Sequence, residues 1–207
     1  MAPWYEQYQN LKIQTPTVPV YHPKQLMESA EAQIHLTSIK GSSTACIASI
    51  HGVDRMLYIA NLGDSGVIVL RHKHGVVFRT NEQEHYLGCP YQLGHFEGAD
   101  TAAAAQVSNL KLARGDLVVV ASDGMFDNLN ETEIEKVAHP YMELVRERIE
   151  HGTATKCAYD LAAAAFVNSV DKNKDTPYSI GAAEEFNLVW HGGKKDDITV
   201  VCAFVVN

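Results

Sequence analysis

Cysteine is scarce in this sequence: Cys46, Cys89, Cys157 and Cys202 lie far apart and form no C-x-x-C pair. That excludes a zinc ribbon and a dense disulfide scaffold, and it fits a reducing compartment. Long apolar runs are also missing. The two longest, 161–167 and 200–206, have seven residues each, well below the roughly 20 that a bilayer-spanning helix needs. Positive charge is in deficit, with 17 Lys and Arg against 25 Asp and Glu and a net charge of −8. A broad basic surface for nucleic acid or anionic lipid is therefore not expected. No P-loop, no G-x-G-x-x-G turn and no H-E-x-x-H helix occurs. Gly63-Asp64-Ser65-Gly66 lacks the spacing of a G-x-S-x-G nucleophile elbow. Residues 1–23 show no signal-peptide core and too few arginines for a transit peptide. What is present is a folding composition, 46% hydrophobic and 20% charged over 207 residues. This suits one intracellular domain.

Residues 1–23 read as irregular, because Pro3, Pro16, Pro19 and Pro23 interrupt helix and strand alike. A helix is expected over 24–38, with Leu26, Met27, Ala30 and Ile34 on one face. The period then shortens. Runs 45–50, 56–60, 67–70 and 76–79 predict strands separated by turn chemistry, so 44–80 reads as an antiparallel meander. Residues 81–105 are polar and irregular, 106–112 an imperfect strand, and 117–121 a buried-type strand. Asn130 and Glu133 have capping-box spacing before a helix that Pro140 should divide in two. Residues 154–170 predict a helix buried along Cys157, Leu161, Ala165 and Phe166. Residues 171–197 predict a long loop, and 198–206 a strand buried on both sides. Strands, then helices, then a strand indicate an α+β fold with sheet and helix segregated.

Three acidic groups stand at strand ends: Asp64 between two strands, Asp123 directly after 117–121, and Asp196-Asp197 directly before the last strand. A carboxylate at a strand end sits on a rigid element with its head outside the sheet. Three that converge repel one another unless a cation lies among them, and an all-oxygen set suits Mg²⁺ or Mn²⁺. The plain alternative is solvated turn residues, since Asp-Gly and Gly-Asp are common turn formers. His72 and His74, two apart, have the spacing to chelate on one strand face, but they adjoin Gly75, and an exposed hairpin tip is the simpler reading. The cysteines fall in apolar segments and read as core residues, not nucleophiles.

Taken in order, Gly41-Ser42-Ser43-Thr44-Ala45, Ala60-Asn61-Leu62-Gly63-Asp64-Ser65-Gly66, Ala121-Ser122-Asp123-Gly124-Met125-Phe126-Asp127-Asn128 and Gly192-Gly193-Lys194-Lys195-Asp196-Asp197-Ile198-Thr199-Val200 resemble the metal-dependent protein phosphatases of type 2C. The stretch from Glu82 to Leu93 resembles the subgroup of mitochondrial phosphatases related to the T-cell-activation phosphatase. The resemblance implies a four-layer α-β-β-α sandwich of two antiparallel sheets flanked by helices. It implies Mn²⁺ or Mg²⁺ at one end of that sandwich and hydrolysis of phosphoserine and phosphothreonine in a phosphoprotein substrate. By motif matching it puts Asp123 and Asp196 at catalytic metal-ligand positions and Asp64 at the position of an additional, more weakly held metal. Water activated between two cations would attack phosphorus in line, with no covalent enzyme intermediate.

The family also carries a D-G-x-G-G motif, whose aspartate bridges both metals, and a phosphate-binding arginine near its start; neither occurs here. The expectation is an irregular segment over 1–23 and, over 24–207, the C-terminal part of an N-terminally incomplete phosphatase domain. Uncovered sheet edges would then favour self-association. Two functional readings follow. One is a protein serine/threonine phosphatase. The other is a catalytically inactive phosphatase-like module that binds a phosphoprotein or partner. A mitochondrial location is implied by the subgroup resemblance alone.

Overall fold

β-Branched and aliphatic runs form most of the strands where the sequence places them. The computed structural model describes residues 22–38, 40–148 and 150–206. Helix α1 (Pro23–His35) is followed by β1 (Ser42–Ser43), β2 (Ala45–His51), β3 (Met56–Leu62), β4 (Gly66–Arg71) and β5 (Gly75–Arg79). Short strands β6 (Glu84–Tyr86), β7 (Cys89–Pro90) and β8 (Leu93–Gly94) and a 3₁₀ turn at Ala102–Ala104 occupy the stretch expected to be irregular. Then come β9 (Gln106–Lys111), β10 (Leu117–Ala121), α2 (Asp123–Phe126), α3 (Glu131–Glu147), α4 (Thr153–Val170), α5 (Pro177–Phe186) and β11 (Val200–Phe204).

The expected single meander is in fact two hairpins in two sheets. β2, β3 and β9 form one antiparallel sheet, and β11, β10, β4 and β5 form the other. The chain changes sheet at residues 63–65. Burial is the reason. Leu57 and Ile59 of β3 meet Val67 and Val69 of β4 and Val118 of β10 in a core between the sheets. The alternate residues face outward onto helices: Ala60 and Leu62 with Met27 of α1, and Ile68 and Leu70 with α2, α3 and α4. A strand with two buried faces needs a layer on each side. The result is the four-layer order expected: α1, three-stranded sheet, four-stranded sheet, helices α2 to α4.

Several local expectations are corrected. Residues 1–21 lie outside the described residues, and Pro23, read as a breaker, is instead the first residue of α1. That is the helical position at which a missing N–H costs nothing. Only Pro23 and Met27 of α1 are buried; Leu26 and Ile34 are partly exposed, at 40% and 36%. α3 runs unbroken through Pro140. Lys136 and Pro140 both face solvent, so water can satisfy the carbonyl that proline leaves free, while Ile134, Ala138, Met142 and Val145 keep one buried face on either side. On α4 the buried positions are Thr153, Cys157, Leu161, Ala165, Asn168 and Ser169, and Phe166 points out with 61% of its surface exposed. The expected loop over 171–197 contains α5, capped reciprocally by Thr176 and Ser179 with Pro177 in its first turn. β11 is an edge strand among the described residues, with Val201 exposed, not buried on both faces. No helix of the described residues is long and apolar enough to cross a membrane.

Candidate metal centre

The centre is assembled at one end of the four-stranded sheet, where β10 stops. Ser122 is the N-cap of α2, and Asp123 opens that helix. Asp127, one helical turn on, shares its face, because residues four apart on a helix are neighbours. Asp196 arrives from the other direction, on the loop leading into β11.

That loop is pinned from two sides. The buried Asn128 side chain donates to the carbonyls of Gly124 (2.9 Å) and Lys194 (2.8 Å) and accepts from the Lys194 N–H (3.0 Å). Ser122 accepts from the Thr199 N–H and donates to the Asp197 carbonyl, at 3.0 and 3.1 Å. The fit is close enough to require glycine at two positions. A Cβ on Gly124 would lie 2.4 Å from the Asp197 carbonyl oxygen, and one on Gly193 would lie 2.1 Å from the Asn168 carbonyl oxygen on α4. This explains Ser122-Asp123-Gly124 and Gly192-Gly193 as packing requirements that bring two acidic segments together.

Carboxylate oxygens of Asp123, Asp127 and Asp196 lie within 4.8 Å of one another. The Lys194 ammonium reaches all three: 2.9 Å to Asp123 Oδ2, 2.7 Å to Asp127 Oδ2 and 3.2 Å to Asp196 Oδ2. Asp64, held in the turn between β3 and β4, lines the same small cleft but is not one of the converging three. Of the residues marked by the sequence, Asp123 and Asp196 therefore meet, and Asp64 stands beside them. Asp127, Lys194 and Asn128 lie within the same motifs, and their part in the centre comes from the structure. The signal for Asp127 was available in the D-x-x-x-D spacing across one helical turn.

The electrostatics are those of crowded anions. Burial, reinforced by the charge of Asp123, pushes the Asp64 carboxyl up to about 6. Burial also pushes Asp127 up to about 6, against the pull of Lys194. Burial works against the charged form of Asp196 too, but the Asp197 N–H and Lys194 hold it below the usual carboxylate range. Lys194 is desolvated, yet its hydrogen bonds to Asp127 and Asp123 keep it protonated far above the ordinary lysine range. The described residues lining the cleft include the carboxylates Asp64, Glu82, Glu84, Asp123 and Asp127 and one cation, Lys194. An all-carboxylate donor set of this kind fits a hard divalent cation and offers no thiolate or imidazole to a softer one. Two of the four thiols are held in the protonated form. Burial raises the Cys46 thiol to about 11, and contact with buried Cys157 raises Cys202 further.

Comparison with known proteins places this geometry in context. Residues 10–205 match the family described as Stage II sporulation protein E (SpoIIE). The chain is 37% identical over 183 residues to the probable protein phosphatase 2C 55 of Arabidopsis thaliana, covering 88% of this chain and 36% of that protein. It is 37% identical over 194 residues to the protein phosphatase PTC7 homolog fig of Drosophila grimshawi, covering 89% of this chain and 61% of that one. Among solved structures, the photosystem II phosphatase PBCP superposes with a TM-score of 0.76 at 35% identity, covering 88% of this chain and 70% of that chain. The chain thus spans between about a third and three-fifths of the length of these two curated relatives.

Proposed function

The chain belongs to the metal-dependent type 2C protein phosphatases, and from that premise we propose that it hydrolyses phosphoserine and phosphothreonine in proteins with Asp123, Asp127 and Asp196 as the resident cation's ligands. Asp64 would support a further cation beside them. Mn²⁺ and Mg²⁺ are the ions that suit these donors.

The observation that carries the reading is the cleft's charge. A phosphoryl dianion cannot approach Asp64, Glu82, Glu84, Asp123 and Asp127 with only Lys194 to offset them. With a divalent cation on the carboxylates the same cleft attracts it. When bound, such a cation lowers the pKa of a coordinated water and offsets charge on the phosphoryl oxygens. The chain's own residues do the rest. Asn128 and Ser122 hold the Asp196 loop against α2, so the carboxylates are in place before substrate arrives. Lys194 stands within the same group of charges, with its ammonium 5.4 Å from the Tyr178 ring centre, and offers a second positive charge to a phosphoryl oxygen.

Mn²⁺-dependent release of phosphate from a phosphothreonine peptide tests the proposal. The wild-type chain should be active and Asp123→Ala should not. Equal background rates for both would overturn it. A second reading is favoured by one observation: D-G-x-G-G is absent from the 207 residues. In that reading the chain binds phosphopeptides without turning them over, and peptide binding with no phosphate release distinguishes it. The subgroup resemblance of residues 82–93 further points to a mitochondrial location, which fractionation of the tagged protein tests.

A further inference from the structure

His72 and His74 do not form the strand-face pair their spacing suggests. Between them Lys73 adopts a left-handed conformation (φ 64°), and His74 is exposed at the hairpin tip. His72 instead turns onto α3, with its side chain only 11% exposed. Its Nε2 contacts Glu143 Oε1, and His139 Nε2 lies 3.8 Å from the same oxygen. His139 and Glu143 are four apart on α3 and so lie side by side on one face. One ligand atom from each of His72, His139 and Glu143 lies within 4.8 Å of the others.

We propose that His72, His139 and Glu143 form a second metal site, of the zinc class, at the opposite end of the four-stranded sheet from the carboxylate cleft. Asp64 precedes β4 and His72 follows it. The six residues of that strand separate the two ends by roughly 20 Å at about 3.3 Å per residue. The donors differ in kind as well as place. Two imidazole nitrogens and one carboxylate oxygen suit Zn²⁺, Co²⁺ or Ni²⁺, whereas Mg²⁺ and Mn²⁺ prefer the all-oxygen cleft. Three protein ligands leave a fourth position for water or an external ligand.

One group opposes the ion. Arg146 Nη1 lies 2.9 Å from His72 Nδ1, 3.0 Å from His72 Nε2 itself and 3.5 Å from Glu143 Oε2. A metal on Nε2 requires the Nδ1–H tautomer, which cannot accept from Arg146, so the guanidinium must leave. Its side chain is 47% exposed and has water to move into. Three other charged residues line the same cavity: Glu135 is engaged with the Val76 N–H at 3.0 Å, Arg71 is paired with Asp116 at 2.7 Å, and Lys73 is exposed at the hairpin tip. A bound ion would tie the β4–β5 hairpin to α3, so it should also raise the melting temperature.

The experiment is Co²⁺ titration of the full chain in excess Mg²⁺, read by visible absorption. The strong ligand-field bands of four-coordinate Co²⁺ report imidazole-containing sites, and octahedral oxygen sites contribute weakly. A band saturating at a single equivalent is expected. His139→Ala, at an exposed position that does not threaten folding, should weaken Co²⁺ binding by about tenfold or more. Asp123→Ala should leave the band in place, and Arg146→Ala should strengthen binding. No saturating band in the wild type, or a band unchanged in His139→Ala, would overturn the proposal. Neither result bears on the carboxylate cleft, which phosphate release reports separately.

Discussion

Lys194 donates to Asp127 at 2.7 Å, and in doing so its ammonium stands among the carboxylates that suit a divalent ion. An ammonium and a divalent cation thus share one donor set, and neither can hold all three oxygens while the other does. Lys194→Met should therefore tighten Mn²⁺ binding by about tenfold or more, because a competing charge a few ångströms away is removed. The metal-free protein should meanwhile lose about 2 kcal/mol, the worth of charge-assisted hydrogen bonds left unmade. Isothermal titration and urea melts read the two effects separately. An affinity that is unchanged or lower would show that the ammonium does not compete.

Asp64 provides a pH dependence with an inverted sign. Its carboxyl is raised from 3.8 to about 6 by burial and by Asp123, so the folded state holds that proton more tightly than the unfolded state. Stability from this group is present below about pH 4 and is lost as pH rises through about 6. At neutral pH the ionised, buried Asp64 costs stability, and Asp64→Asn should return on the order of 2 kcal/mol in metal-free protein. The gain should vanish in melts at pH 4. A stabilisation that persists there would contradict the buried-charge account.

Asn128 is fully buried, and its side chain bonds to Gly124 and to both backbone groups of Lys194. Asn128→Ala leaves those polar groups unsatisfied, and about 3 kcal/mol of destabilisation is expected. Because the same bonds hold the loop carrying Asp196, Mn²⁺ affinity should fall in conditions where the variant is still folded.

Asp116 supplies the contrast. It is 1% exposed, accepts from Arg71 Nε and Nη2 at 2.8 and 2.7 Å, and also accepts from the Ala113 N–H. Asp116→Ala strands a guanidinium at the far end of the sheet and should cost about 3–5 kcal/mol. Mn²⁺ affinity of the folded variant should not change. A large loss of affinity would mean that the two ends of the sheet are coupled.

The strands and the acidic turns were legible because each has a local cause. β-Branched runs make β4 and β10, alternating apolar residues make β3, and Gly-Asp and Asp-Gly turn chemistry marks Asp64 and Asp123 at their ends. α5 was missed for an equally local reason: Pro177-Tyr178-Ser179-Ile180-Gly181 carries no strong apolar period, and its signal was the Thr176–Ser179 cap. Pro140 misled because a proline's cost depends on whether its freed carbonyl faces water, which the sequence does not display.

By itself the sequence determined which residues carry charge at strand ends, and the motif order that marks the family. Only the tertiary structure decided which of them meet. Asp123 and Asp196 are brought within one small volume by β10–β11 pairing, by Asn128, and by two glycines whose missing Cβ atoms permit backbone contact. Lys194 joins them, and His72 leaves His74 for a helix 67 residues away in sequence, at His139. Spacing along a chain constrains neighbours within a turn or a strand. Contacts between distant segments are set by which faces must be buried, and that is a property of the packed whole.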